Sequence, residues 1–239
     1  MRRRSLFKTA AILFTLIALT IGIVGWLLKQ EPDFYVRENA SLAGEKDSVQ
    51  SGKVVTRLNE LMEDMRSSQK GEWGATFSAD ELNAFFRERE SGINPLTKGL
   101  VANLPDPRVG PRVAIEDDRL RIAFRYGEGF QSTVVQMELR MWLVKDQSNL
   151  VAVEIVRFQA GALPLPKSWV IDDIAATARG LSADVNWYRR GGNPVALCKL
   201  YANQNRPETQ ITTLRIGDGG LSIGGLHTGN RPVDPTAGK

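Results

Sequence analysis

The chain has 239 residues, with 31 Lys and Arg against 27 Asp and Glu, one His and one Cys. That length is enough for one large domain with a buried core; the single Cys excludes an internal disulfide framework and a Cys-cluster metal site, and 24% charged with 42% hydrophobic residues excludes a disordered or a polytopic chain. The formal charge of +4 is accounted for by Arg2, Arg3, Arg4 and Lys8, which lie in a segment without an acid, so no basic nucleic-acid-binding domain is expected.

Thr9 to Leu28 carries no charge, and a helix of this length spans about 30 Å, the thickness of a bilayer hydrocarbon core. Trp26 stands at its far end, where an indole favours the interface. A cleavable signal peptide has a shorter apolar region followed by a small-x-small site, and Leu27-Leu28-Lys29-Gln30-Glu31-Pro32 offers none. The expectation is an uncleaved anchor. The positive-inside rule then places residues 1–8 in the cytoplasm as a basic tail, 9–28 across the membrane, and everything beyond on the extracytoplasmic side.

Residues 29–48 are polar without a sustained period and read as a tether. Val54, Val55, Leu58, Leu61, Met62 and Met65 then share one face of a helix over about 51–68. Ser78 followed by Glu81 makes a capping box, and Phe77 and Leu82 occupy the positions of a hydrophobic staple, for a helix running to about Arg89. Gly and Pro fill the stretch from there to Pro111, which reads as a long surface loop.

Beyond Pro111 the period changes to two. Val113 and Ile115 lead into a turn, and Leu120, Ile122, Phe124 and Tyr126 alternate with polar residues. Val135, Met137, Leu139, Met141 and Leu143 do the same, and 150–158, with Val153 and Ile155, is a further strand. Short connections predict an antiparallel meander with one apolar and one wet face. A Leu163-Pro164-Leu165-Pro166 step enters a helix whose apolar stripe is Trp169, Val170, Ile174 and Ala175. A strand at 195–201 and a hairpin turning at Gly217-Asp218-Gly219-Gly220 close one α+β domain over 49–224, leaving 225–239 as a disordered tail.

The residues assemble no catalytic set, metal site or cofactor loop. His227 falls in the Gly-rich tail, Cys198 reads as a small buried hydrophobe, Asp117-Asp118 reads as a turn, and Asp172-Asp173 as a solvated helix face whose carboxylates diverge by about 100°. What stands out is apolar: four of the five Met residues, Met62, Met65, Met137 and Met141, lie on predicted inward faces. They fit an ordinary core, since Met fills irregular gaps, and equally a lined tunnel for an acyl chain.

Taken together, the anchor, the capped Ser78–Phe85 segment, the long alternating strands, the Gly161–Val170 step and the terminal hairpin resemble the bacterial membrane-anchored YpmS-like proteins, themselves similar to the tubular lipid-binding (TULIP-like) superfamily. The resemblance implies a bacterial cytoplasmic (inner) membrane location with the domain on the periplasmic side, a curved antiparallel sheet wrapped around a long helix, and an apolar groove for membrane lipid; no cofactor is expected. Groove positions would be Met62, Met65, Ile122, Phe124, Met137, Leu139, Met141, Leu143, Val153, Ile155, Trp169, Val170 and Ile174. The alternative is a non-enzymatic envelope scaffold with a filled core, contacting a protein partner through residues such as Trp142 or Trp187.

Overall fold

The structure is a computed structural model and describes residues 2–40, 45–66, 71–90, 110–145, 147–171, 175, 184–200 and 209–227, with side chains in the first helix from Ile12 onward. Helix α1 (Arg2–Leu28) is 27 residues long, about 40 Å of helix. Helix α2 (Asp33–Ala40) follows after a short break, then α3 (Glu45–Arg66), strand β1 (Gly71–Ser78) and helix α4 (Ala79–Glu90). The rest is β structure: β2 (Arg112–Glu116), β3 (Arg119–Tyr126), β4 (Thr133–Leu143), β5 (Leu150–Ala160), β6 (Leu163–Pro164), β7 (Asp184–Arg190), β8 (Asn193–Lys199), β9 (Thr209–Gly217) and β10 (Gly220–His227).

The α+β class expected from the sequence is what the chain adopts. Its described strands form two open antiparallel sheets rather than one: a large sheet ordered β2-β3-β4-β5-β8-β7, with β6 beside β5, and a small one ordered β1-β10-β9. Strands β2 to β5 are the predicted meander, with Leu120 opposite Leu139 and Leu139 opposite Ile155. The terminal hairpin turns at Asp218 and Gly219, both at positive φ, as an Asp-Gly turn requires. It pairs with β1, a strand whose inward residues are Trp73 and Phe77.

The small sheet and α4 cover the apolar face of the large one. Val113, Ile115, Leu120, Leu139, Ile155 and Ile216 form the main core, with Leu82 and Phe86 of α4 and Leu221 of β10 packed against it. Helix α3 lies against α4 and β1, and its Leu61 packs with Trp73 and Ile211. The longest helix of the domain thus rests on the small sheet and on α4, not within a wrapped large sheet. The capping box of α4 forms as read: Ser78 N–H donates to Glu81 Oε2 at 3.0 Å, and Glu81 N–H to Ser78 Oγ at 3.2 Å. Arg57 of α3 donates to the same carboxylate at 2.8 Å, tying the two helices together.

Two asparagines join the layers. Asn83 of α4 is buried and pairs both its amide groups with the backbone of Val113, at 2.8 and 2.7 Å, so it continues the ladder at the β2 edge. Asn149, in the β4–β5 turn, does the same to β9, donating to Thr209 O at 2.8 Å and accepting from Ile211 N–H at 2.8 Å.

The segment read as a tether is the main departure. Over 33–40 it is helical, and Phe34 and Tyr35 are buried in a cluster with Ala114, Ala123 and Val134. These are outward positions of β2, β3 and β4. Alanines on that face leave a depression that receives the two aromatic rings, so part of the face expected to be wet is a second, smaller core.

Candidate functional site

The apolar face of the large sheet gathers most of the predicted groove positions. Leu139 and Ile155 are buried in the main core, and Ile122, Met137, Met141, Val153 and Val170 pack against it half-buried. Register puts Ile122, Met137 and Phe158 in one cross-strand row and Met141 opposite Val153. Leu143 joins the neighbouring cluster around Leu61 and Trp73, and Phe124 is half-buried. Two positions are not where the groove needs them. Met62 is exposed because α3 turns Leu61 inward, and the next residue points about 100° away. Trp169 is 64% exposed for the same reason: in the helical turn over 168–171 it is Val170 that meets the core. The Met65 side chain, Ile174 and Asp172-Asp173 lie outside the described residues.

The opposite face carries a charged lattice that strand register organises. Arg121, Glu138 and Arg157 stand in one row across β3, β4 and β5, and Arg140 faces Glu154 in the next. Glu138 is only 5% exposed and Glu154 4%, a depth at which carboxylates need partners. Glu138 is paired by Arg119, with Arg157 Nε at 3.8 Å. Glu154 has Arg140 Nη1 at 3.6 Å and accepts from Asn193 Nδ2 at 2.6 Å. Lys167 in turn donates to Asn193, and burial holds its ammonium pKa below the usual lysine value. Between this lattice and the start of α2 is a cavity of about 370 Å³, lined by Asp33, Arg37, Glu116, Arg121, Glu138 and Arg157 among others. Its cations and anions alternate, so it offers no concentrated field of one sign. On the same face the Arg190 guanidinium lies 5.1 Å from the centre of the Trp142 ring, whereas Trp187 packs against the main core.

The third feature is the junction of α1 with the domain. Ala162 N–H donates to Leu27 O at 2.9 Å, Thr133 Oγ1 donates to Leu28 O at 2.5 Å, and Arg125 pairs with Glu31. The last carbonyls of α1, which a free helix end would expose to water, are thus capped by the sheet. Gly161 makes the approach possible. Its φ is 57°, and a Cβ there would lie 2.7 Å from the Leu28 carbonyl carbon and closer still to Leu27 O. Lys29 Nζ donates to Phe130 O, and to Ser132 O at 2.6 Å.

From Ile12 to that junction α1 is bare. Ile12, Phe14, Ile17, Leu19, Ile21 and Trp26 are all exposed, on every side of the helix. Among the residues whose side chains are described, which in α1 begin at Ile12, no single helix is long and apolar enough to cross a membrane; Ile12–Leu28 and Asp33–Ala40 pass that test together, with a 50° bend between them. Phe34 and Tyr35, however, commit the second member of that pair to the domain. The side chains of Arg2, Arg3, Arg4 and Lys8 lie outside the described residues.

The two singular side chains are also placed. His227 is not in a tail: β10 runs to it, it is buried, and its Nδ1 lies 3.1 Å from Thr209 Oγ1. Cys198 is half-buried in β8, and burial raises its thiol pKa. Among the described residues no three His, Cys, Asp or Glu side chains gather as a metal site. Comparison of the chain with protein-family models, curated proteins and solved structures finds no match.

Proposed function

We propose that the chain is a single-pass protein of the bacterial cytoplasmic membrane, and that its extracytoplasmic domain is a filled, non-enzymatic module that meets another envelope component close to the bilayer. One observation carries this reading: an apolar helix, bare on all sides, is capped by the domain's own sheet through Leu27 and Leu28. A helix apolar all round requires either a protein interior or lipid around it, and the domain covers just its last turn. The uncharged run Thr9–Leu28 has the length of a span, and the four cations before it set the N-terminus inside. The packing of Leu139, Ile155 and Ile216 against one another supports an interaction module, and Trp142 with Arg190 offers an aromatic–guanidinium contact point on the charged face.

The test is the full chain in a bacterial membrane. The protein should stay in the pellet after an alkaline wash, and protease added to spheroplasts should degrade the domain while sparing an N-terminal tag. Release by alkali would remove the span, and a domain protected until lysis would reverse the topology.

A second reading, a TULIP-like lipid carrier or sensor, is favoured by the half-buried side chains of Ile122, Met137, Met141, Val153 and Val170 along the main core. Native mass spectrometry of the detergent-solubilised chain separates the two. Stoichiometric lipid that survives dilution would replace the filled module with the carrier, and its absence would leave the module.

A further inference from the structure

We infer that the β3–β4 connection is a second point of membrane attachment, with Phe130 inserted into the bilayer interface beside the end of α1. The inference rests on the membrane-spanning reading above and adds a lipid contact by the domain itself. Phe130 is 90% exposed, the most exposed large hydrophobic side chain among the described residues. It sits at the tip of a single helical turn, Gly129–Gln131, directly after two glycines at positive φ, Gly127 and Gly129, that turn the chain out of β3. An isolated exposed aromatic needs no explanation by itself. Its place supplies one.

Lys29, the first residue after α1, holds the loop: its Nζ donates to the carbonyls of Phe130 and Ser132 and lies 5.1 Å from the centre of the Phe130 ring. Trp26, also exposed, is one helical turn earlier, about 4.5 Å along the axis. If α1 crosses the bilayer, Trp26 and Lys29 mark the level of its outer interface, where indoles and snorkelling lysines collect. The loop bonded to Lys29 is then at that level too, and its apolar tip faces lipid headgroups and upper acyl chains. The occupant is the bilayer surface. A helix alone leaves the domain free to rotate about the span axis; a second contact beside it fixes which face of the domain looks outward.

The experiment uses the full chain, with Cys198→Ser, reconstituted in vesicles of phosphatidylethanolamine and phosphatidylglycerol. Spin labels are placed singly at Leu19→Cys in the span, Gln131→Cys beside Phe130, and Asp218→Cys in the distal β9–β10 turn. The ratio of collisions with oxygen to collisions with a water-soluble nickel complex should exceed one at positions 19 and 131 and fall below one at 218. Adding Phe130→Ser to Gln131→Cys should move that label towards the value at 218. Lipid-like values at 19 with water-like values at 131, or no response to Phe130→Ser, overturn the wedge and leave the span standing. Water-like values at 19 overturn the span and the wedge with it.

Discussion

Gly161 lies against the carbonyls of Leu27 and Leu28, at the end of the apolar helix, and the next residue donates its N–H to Leu27 O at 2.9 Å. The helix and the sheet therefore share a hydrogen-bonded seam in place of a flexible linker. Gly161→Ala should open that seam. An L-residue at φ near 57° costs about 1–2 kcal/mol, and the added methyl meets backbone that no rotamer change can move. Amide exchange should report faster exchange at Ala162, while the β5 amides stay protected. Unchanged protection at Ala162 would show that the seam does not depend on this glycine.

The second seam is α2, and Tyr35 is its pin. The ring is fully buried against Ala114, Ala123 and Val134, and truncating a buried aromatic to Ala costs about 3–5 kcal/mol. Tyr35→Ala should release the helix, so that trypsin cuts after the already exposed Arg37 much faster than in the parent. A cleavage rate equal to the parent's would mean that Phe34 alone seats α2. The phenol also gives a pH signature, since burial raises its pKa above the ordinary 10.0. The folded state then keeps the proton that the unfolded state loses first. The stability this contributes is complete below pH 10 and is lost as pH rises through the folded pKa. Alkaline unfolding curves of Tyr35→Phe should lack that component.

How much of this was legible in the sequence depended on whether a signal was local. The capping box needs four residues and was read from Ser78 and Glu81 alone; the meander and the final hairpin needed alternation and an Asp-Gly turn. Strand β1 was missed because just Trp73, Ala75 and Phe77 mark its inner side and two glycines dilute the pattern. Helix α2 was missed because its burial is decided elsewhere, by the small residues Ala114 and Ala123. Likewise Glu138 and Glu154 stand on the face of the meander expected to be wet. That they are buried follows from arginines on neighbouring strands, and the pairing appears once the register across β3, β4 and β5 is known. Of the groove positions, those on long strands fell on the apolar face, while Met62 and Trp169, on helices with a shifted phase, did not.

Cys198 should behave as a protected thiol. Burial raises its pKa above the usual 9.0, and the thiolate is the reactive form. Alkylation by iodoacetamide should be slow at neutral pH, rise at pH values above 9, and become fast in denaturant. The linked stability is present below pH 9 and declines as pH climbs through the raised value. Rapid labelling of the folded chain at neutral pH would contradict this.

Asn149 joins the two sheets, and its removal should be among the more damaging single changes in the domain. The side chain donates to Thr209 O and accepts from Ile211 N–H, both at 2.8 Å, and is itself buried. In Asn149→Ala the Ile211 N–H is left without that acceptor, at a cost of about 1–3 kcal/mol for an unsatisfied buried group. The backbone at φ 59° adds about 1–2 kcal/mol, because Asn tolerates the left-handed region and Ala does not. Asn149→Gly separates the contributions: it relieves the φ strain but restores neither hydrogen bond. Urea unfolding should rank the parent above Asn149→Gly and Asn149→Ala lowest. If Gly restores the parent's midpoint, backbone strain accounts for the whole loss and the side-chain bridge between the sheets contributes nothing measurable.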